Sequence, residues 1–161
     1  MNVRVGVGYD LHRLEAGRPL MLGGIAIATE RGLAGHSDGD VAAHAIADAL
    51  LGAAGMGDIG ALFPPGDRRY AGIAGRDLLA QVRAALAESG WRVANIDVTI
   101  IAEAPALGPY REAMRSALAE PLGVEASAIG VKAKTNEGLD AVGRGEAIAA
   151  HAVALIERDE R

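Results

Sequence analysis

Cysteine is absent from this chain of 161 residues, so no disulfide can brace the fold, and any transition-metal site must be made from His, Asp and Glu. Aromatic residues are scarce, at 3 %: one Trp, three Tyr and one Phe. The core must therefore be packed from small and aliphatic side chains with backbones close together, and such a core in a small domain invites further burial by subunit association. An excess of positive charge is also missing. The net charge is −5 and the 16 Lys and Arg are scattered, which leaves no basic field for nucleic acid. No long apolar run occurs: the uncharged stretch Ala49 to Gly57 falls far short of the about 20 residues that span a bilayer, so no membrane partner is expected. The opening MNVRVGVGYD enters an alternating pattern without the charged start and apolar run of an export signal, and a cytoplasmic location is expected.

Half of the sequence is hydrophobic and 22 residues are glycine, enough for one core in one domain over residues 1–161. Val3, Val5 and Val7 alternate with Arg4, Gly6 and Gly8, the period of a strand with one buried face, which is expected to end at Tyr9-Asp10-Leu11-His12. Leu20 to Ile27 reads as a short hairpin turning at Gly23-Gly24. Ser37-Asp38-Gly39-Asp40 reads as the start of a helix over Val41 to Ala54, and the Gly- and Pro-rich Gly55 to Gly72 as a long loop. Helices are expected over Arg76–Ser89 and Tyr110–Ala119, the latter ended by Pro121, and strands over Val93–Ala102 and Ile129–Lys134. The Ala-rich Glu146 to Ile156 reads as a closing helix. A mixed sheet covered on one face by helices follows from this order.

Asp10 and His12 are two apart on or just beyond a strand, so both side chains can leave one face and converge. Asp40, His44 and Asp48, spaced by four in an otherwise apolar helix, form a polar stripe. Such a stripe can simply face water, but with Val41, Ile46, Leu50 and Leu51 spread around the axis the helix is expected to be buried and the stripe to line a site. Asp10, His12 and His44 supply one carboxylate and two imidazoles, a set suited to a divalent ion with a further position for substrate. A lone His on an apolar helix is more often a hydrogen-bonded core residue than a ligand. His36 and Ser37, at the expected helix N-terminus, suit an anion such as phosphate, or else Ser37 merely caps the helix. Lys132-Ala133-Lys134-Thr135-Asn136-Glu137, followed by Gly143-Arg144-Gly145-Glu146, sets phosphate-handling groups beside a candidate magnesium ligand, although a lysine-rich strand end is ordinary on a surface.

Taken together, Gly8-Tyr9-Asp10-Leu11-His12, His36-Ser37-Asp38-Gly39-Asp40-Val41, His44, Asp48, Gly57-Asp58-Ile59-Gly60 with Phe63-Pro64, Asp97 to Ala102, Pro109-Tyr110 and the run from Lys132 to Glu146 resemble the 2-C-methyl-D-erythritol 2,4-cyclodiphosphate synthases along nearly the whole chain. The resemblance implies an α+β subunit assembled as a homotrimer, with active sites between neighbouring subunits, on the non-mevalonate route to isoprenoids. It implies closure of a cyclic diphosphate on 4-diphosphocytidyl-2-C-methyl-D-erythritol 2-phosphate, with release of CMP. Asp10, His12 and His44 match the ligands of a metal, usually zinc, in a set that would also accept manganese or cobalt. Glu137 matches a ligand of magnesium on the substrate diphosphate, and His36 and Thr135 match transition-state stabilisers.

For substrate binding, the resemblance implies Asp10, His12, His36 and Ser37 together with Asp58, Ile59, Gly60, Phe63, Pro64, Pro65, Gly66 and Asp67 around the methylerythritol portion. Ala102, Glu103, Ala104, Pro105, Ala106, Leu107 and Gly108, with Lys134, Thr135, Asn136 and Glu137, match the cytidine and phosphate pocket supplied by the neighbour. Ala141 and Arg144 fall beside an apolar cavity on the threefold axis that can hold an isoprenoid diphosphate, with Arg144 placed to meet it. The chain departs from the family pattern at Ala106, where many members carry Lys, at Asn136 in a Thr-rich turn, at Ala141 for an aromatic and at Gly75 for a serine. Two other readings compete: a metal-dependent phosphohydrolase using the same ligands to activate water, and a binding protein for isoprenoid diphosphates without turnover. The second predicts missing ligands, and none is missing.

Overall fold

The computed structural model describes residues 2–64 and 66–158. Its main sheet joins β4 (Arg31–Leu33), β1 (Val3–Ala16), β7 (Ala147–Arg158), β5 (Trp91–Ile101) and β6 (Ile129–Lys134) in that order. Neighbours run antiparallel except the parallel β5–β6 pair, so the sheet is mixed. A separate hairpin pairs β2 (Leu20–Leu22) with β3 (Ile25–Ile27). The main helices are α1 (Val41–Ala54), α3 (Gly75–Glu88) and α4 (Arg111–Leu122), with the short α2 (Ile59–Leu62) and α5 (Asp140–Gly143) in connections.

The alternation in β1 is real, but the buried face carries the glycines. Val5 and Val7 are 66 % and 70 % exposed, whereas Gly8 is buried under α1. A Cβ on Gly8 would lie 1.8 Å from the Ala45 carbonyl oxygen, and one on Gly6 2.0 Å from that of Ala49. Only glycine lets the helix backbone settle directly on the strand. The next residues on that face are Asp10 and His12, and the helix brings His44 to them.

The segment expected as a closing helix is the strand β7. Its inward residues Ala150, Ala152, Ala154 and Ile156 are buried and pair in register with Asp10, Gly8, Gly6 and Arg4 of β1. Alanine favours helices in isolation, but pairing on both edges, to β1 and β5, overrides that preference, and small side chains are what α1 can rest on. β1 also runs past His12 to Ala16, because Leu14 to Ala16 still find partners in β4. Pro121 lies inside α4, which ends one residue later at the left-handed Gly123.

The other side of α1 packs on α3 and into a core that includes Leu50, Leu51, Leu79 and Leu86, each fully buried and worth about 1.5–3 kcal/mol by transfer from water. Gly75, the residue in place of serine, allows this approach: a Cβ there would sit 2.7 Å from that of Ala43. Trp91 is held between the guanidinium groups of Arg4 and Arg158, at 4.6 and 4.2 Å. The opposite face of the sheet leaves Val3, Val5, Val7, Tyr9, Leu11 and Val153 exposed.

Candidate metal centre and active site

Asp10 and His12 leave the same face of β1, and His44 reaches them from the first turns of α1. Asp10 Oδ2 is 2.9 Å from His12 Nε2 and 2.9 Å from His44 Nδ1, and the two ring nitrogens are 3.3 Å apart. A tetrahedral ion with bonds near 2.0 Å has ligand–ligand edges of about 3.3 Å, so the three atoms are spaced to share one. Among the described residues this is the only such convergence of His, Asp and Glu donors. The outer nitrogens are also engaged: His12 Nδ1 meets the Ala34 carbonyl, and His44 Nε2 lies 3.0 Å from Ser37 Oγ. A carbonyl only accepts, so His12 carries its proton on Nδ1 and turns the Nε2 lone pair inward.

Electrostatics agree with that geometry. Burial pushes the Asp10 carboxyl upward, but hydrogen bonds and charge from His12 and His44 outweigh it and hold the group well below the usual carboxylate range. The Asp10 hydrogen bond raises the His12 pKa above its ordinary value, against the opposing effect of burial.

The expected polar stripe on α1 divides into three separate roles. Asp40, not Ser37, is the cap: its fully buried carboxylate accepts from Ala42 and Ala43 at 3.1 Å each, and from Gly23 and Gly24 of the hairpin at 2.9 and 2.7 Å. It therefore ties β2–β3 to the helix start and does not line the site. Two N–H groups of the first helical turn, those of Ala42 and Ala43, are thereby taken by Asp40. Asp48 accepts from the Ile59 backbone N–H at 2.8 Å and anchors the following loop. Only His44 serves the cluster.

A cavity of about 370 Å³ opens above the three ligands. Asp10, His12, His36, Ser37, His44, Ile59, Gly60, Phe63, Pro64, Gly66 and Asp67 all line it. Asp58 does not: it caps α2 through the Ala61 N–H at 3.0 Å. Pro65 lies outside the described residues. Arg68, Tyr70, Ala71, Ile73 and Leu78 complete the lining and were not anticipated. The signal available was the Arg-Arg-Tyr triplet in a glycine-rich loop, which folds as a single 3-10 turn over Arg68–Tyr70. Tyr70 then meets Phe63 edge-on at 4.9 Å.

The remaining expected residues gather elsewhere, at the ends of the parallel β5–β6 pair. The Ala102 N–H donates to Lys134 O at 2.9 Å, and Glu103 Oε2 accepts from the Asn136 N–H at 3.2 Å, which sets the Ala102–Gly108 connection beside Lys134–Glu137. The Ala104–Pro105 peptide is cis. Thr135 Oγ1 accepts from the Glu137 N–H at 3.3 Å, and Glu137 holds a positive φ of 53°. Asn136 also donates to Asp140, while Arg144 pairs with Glu146 at 2.7 Å, a short way beyond the half-buried Ala141. None of these residues lines the cavity over Asp10, His12 and His44.

The model of the YgbB family matches residues 3–157. The 2-C-methyl-D-erythritol 2,4-cyclodiphosphate synthase of Desulfosudis oleivorans is 55 % identical over 158 residues, covering 98 % of this chain and 94 % of the relative. That of Symbiobacterium thermophilum is 57 % identical over 152 residues, covering 94 % and 97 %. A solved structure of a 2C-methyl-D-erythritol-2,4-cyclodiphosphate synthase in its CDP-bound form superposes with a TM-score of 0.88 at 39 % identity, covering 96 % of this chain and 100 % of that one.

Proposed function

This chain belongs to the YgbB family, and we infer from that membership and the geometry above that it converts 4-diphosphocytidyl-2-C-methyl-D-erythritol 2-phosphate to 2-C-methyl-D-erythritol 2,4-cyclodiphosphate and CMP. It is a phosphorus–oxygen lyase of isoprenoid precursor synthesis. An oxygen of the 2-phosphate attacks the β-phosphorus and closes the ring. The bond from the β-phosphorus to its bridging oxygen breaks, and that oxygen departs with CMP. No water is consumed.

Both reacting phosphates are negative, so the chain must chiefly position them and offset their repulsion. A divalent ion held by Asp10, His12 and His44, zinc in this reading with manganese or cobalt as substitutes, supplies Lewis-acid neutralisation at a phosphate oxygen. The protein fixes the His12 tautomer through Ala34, holds His44 through Ser37 and keeps Asp10 anionic. The cavity takes the methylerythritol portion against Ile59, Phe63, Ile73 and Leu78, with His36 and Ser37 toward the phosphates.

The cytidine, the diphosphate and its magnesium then belong to Ala102–Gly108 and Lys134–Glu137 of a neighbouring subunit, with Glu137 as magnesium ligand and Thr135 beside the transferring phosphate. The separation of the two clusters within one subunit supports a homotrimer with shared sites. So does the exposed apolar row on β1 and β7, which in that assembly surrounds the threefold axis. An isoprenoid diphosphate in the axial cavity would meet Arg144. Among the described residues no helix is long and apolar enough to cross a membrane, and the cytoplasm is the proposed location.

The observation that carries this reading is the convergence of Asp10, His12 and His44 below a cavity of about 370 Å³. Phosphorus NMR of the protein with substrate, zinc and magnesium tests it. A cyclic diphosphate with equimolar CMP is expected; CMP with open-chain phosphates alone would mean hydrolysis, and no turnover would mean a binding protein.

A further inference from the structure

The cavity over the metal ligands has to accept a strongly anionic substrate, yet its lining includes the carboxylates of Asp10 and Asp67. A divalent ion offsets part of the substrate's charge and leaves several negative charges to be met. Among the described residues, Arg68 is the only Lys or Arg that lines the cavity. Arg68 and Arg69 are neighbours in one turn, but their surroundings differ. Arg69 is committed: its Nε lies 3.1 and 3.0 Å from the two Asp67 oxygens, its Nη2 2.6 Å from Oδ2, and its guanidinium 5.3 Å from the centre of the Tyr70 ring. Asp67 also accepts from the Arg69 backbone N–H at 3.0 Å, which shapes the turn. Arg68 has no side-chain partner among the described contacts.

That turn is anchored to the site. The Gly72 N–H donates to His36 O at 2.8 Å, and the Asp38 N–H to Ile73 O at 3.2 Å, so the loop carrying Arg68 is tied to the segment carrying His36 and Ser37. The backbone that carries Arg68 is thus placed before the ligand arrives, while its exposed side chain is free to reach an anion in the cavity. In the substrate the diphosphate runs toward the cytidine, leaving the 2-phosphate as the anion on the portion held in the cavity. A guanidinium matches two oxygens of such a phosphate at once.

We propose that Arg68 is a substrate-binding residue that grips the 2-phosphate, the attacking group, opposite the Asp10/His12/His44 cluster. The inference rests on the cyclase reading above. It is tested in the zinc- and magnesium-loaded enzyme with Arg68→Ala and Arg68→Lys, comparing KM for the substrate with the inhibition constant of 4-diphosphocytidyl-2-C-methyl-D-erythritol, which lacks the 2-phosphate. Arg68→Ala is expected to raise KM roughly 10- to 100-fold, as loss of a charged hydrogen bond does, while the inhibition constant stays within about twofold. Arg68→Lys should recover part of the loss, because charge remains without the fork. An unchanged KM, or a parallel rise in both constants, overturns the assignment. If wild-type protein releases CMP but forms no cyclic diphosphate, the cyclase reading fails and takes this inference with it; cyclisation by wild type with unaltered Arg68→Ala kinetics overturns Arg68 alone.

Discussion

Asp10, His12 and His44 and the Lys134–Arg144 segment are polar groups served by the same sheet, but they are held in different ways. At the first, no side chain is more than 25 % exposed, and each imidazole has a second partner behind it. At the second, Lys134, Thr135, Glu137, Leu139 and Arg144 are exposed, and Glu137 and Asp140 take φ values of 53° and 59°, unusual for residues with side chains. Asp140 maintains that shape by accepting from Asn136, Val142 and Gly143. In the first region all three donors converge within this one chain. The second is a fixed shape facing outward.

The sharpest way to break this contrast is His44→Ala. It removes a ligand while Ala at that position still suits the helix, so metal binding and turnover should be abolished with the far-ultraviolet circular dichroism intact. Metal analysis and phosphorus NMR on the same preparation check it, and a mutant retaining either metal or activity would refute the ligand assignment. Next in size is Gly8→Ala, whose Cβ would fall 1.8 Å from a helix carbonyl that cannot rotate away. A loss of about 3 kcal/mol or more is expected by thermal or denaturant unfolding. Leu139→Ala, at a side chain 71 % exposed, should change the stability of the folded chain by no more than about 0.5 kcal/mol.

The same contrast explains what could be read in the sequence. Asp10, His12 and His44 were legible because strand and helix periods fix which side chains share a face, whatever the rest of the fold does. Which face of β1 is buried was not: valine marks a core face only when the partner leaves room, and here Gly6 and Gly8 admit the α1 backbone. For β7, alanine content pointed to a helix while the true constraint was the thin layer beneath α1. Asp40 and Asp48 share a helix row with His44, but their partners, Gly23, Gly24 and Ile59, are far along the chain, and spacing carries no record of them. Arg68 was hidden for a similar reason: its distinction from Arg69 lies in the Asp67 pairing.

Glu137→Gln probes the outward half. The amide keeps the side chain's size but loses the charge that a magnesium ligand needs. Turnover should fall on the order of 100-fold, with a higher magnesium concentration for half-maximal rate and unchanged zinc content. An unaltered magnesium dependence would remove Glu137 from that role, and loss of zinc would mean that the two regions are not independent.

The pH dependence sharpens the contrast further, because its sign separates the metal-free from the metal-bound state. In the metal-free protein the Asp10 hydrogen bond raises the His12 pKa above its ordinary 6.5, so this pair stabilises the fold fully below 6.5 and the contribution is lost as pH rises through the raised value. A metal needs the neutral imidazole, so it gains where that contribution fades. Zinc affinity should therefore weaken as pH falls below the raised His12 value, by up to about tenfold per pH unit for one proton displaced. Asp10 does not add to this near neutrality, because its pKa is lowered and it stays ionised. Calorimetric zinc titrations from about pH 8 to about pH 6 in buffers of different ionisation enthalpy count the protons released. Release rising toward one as pH falls fits the linkage; constant affinity without proton release would mean that His12 does not bind the metal.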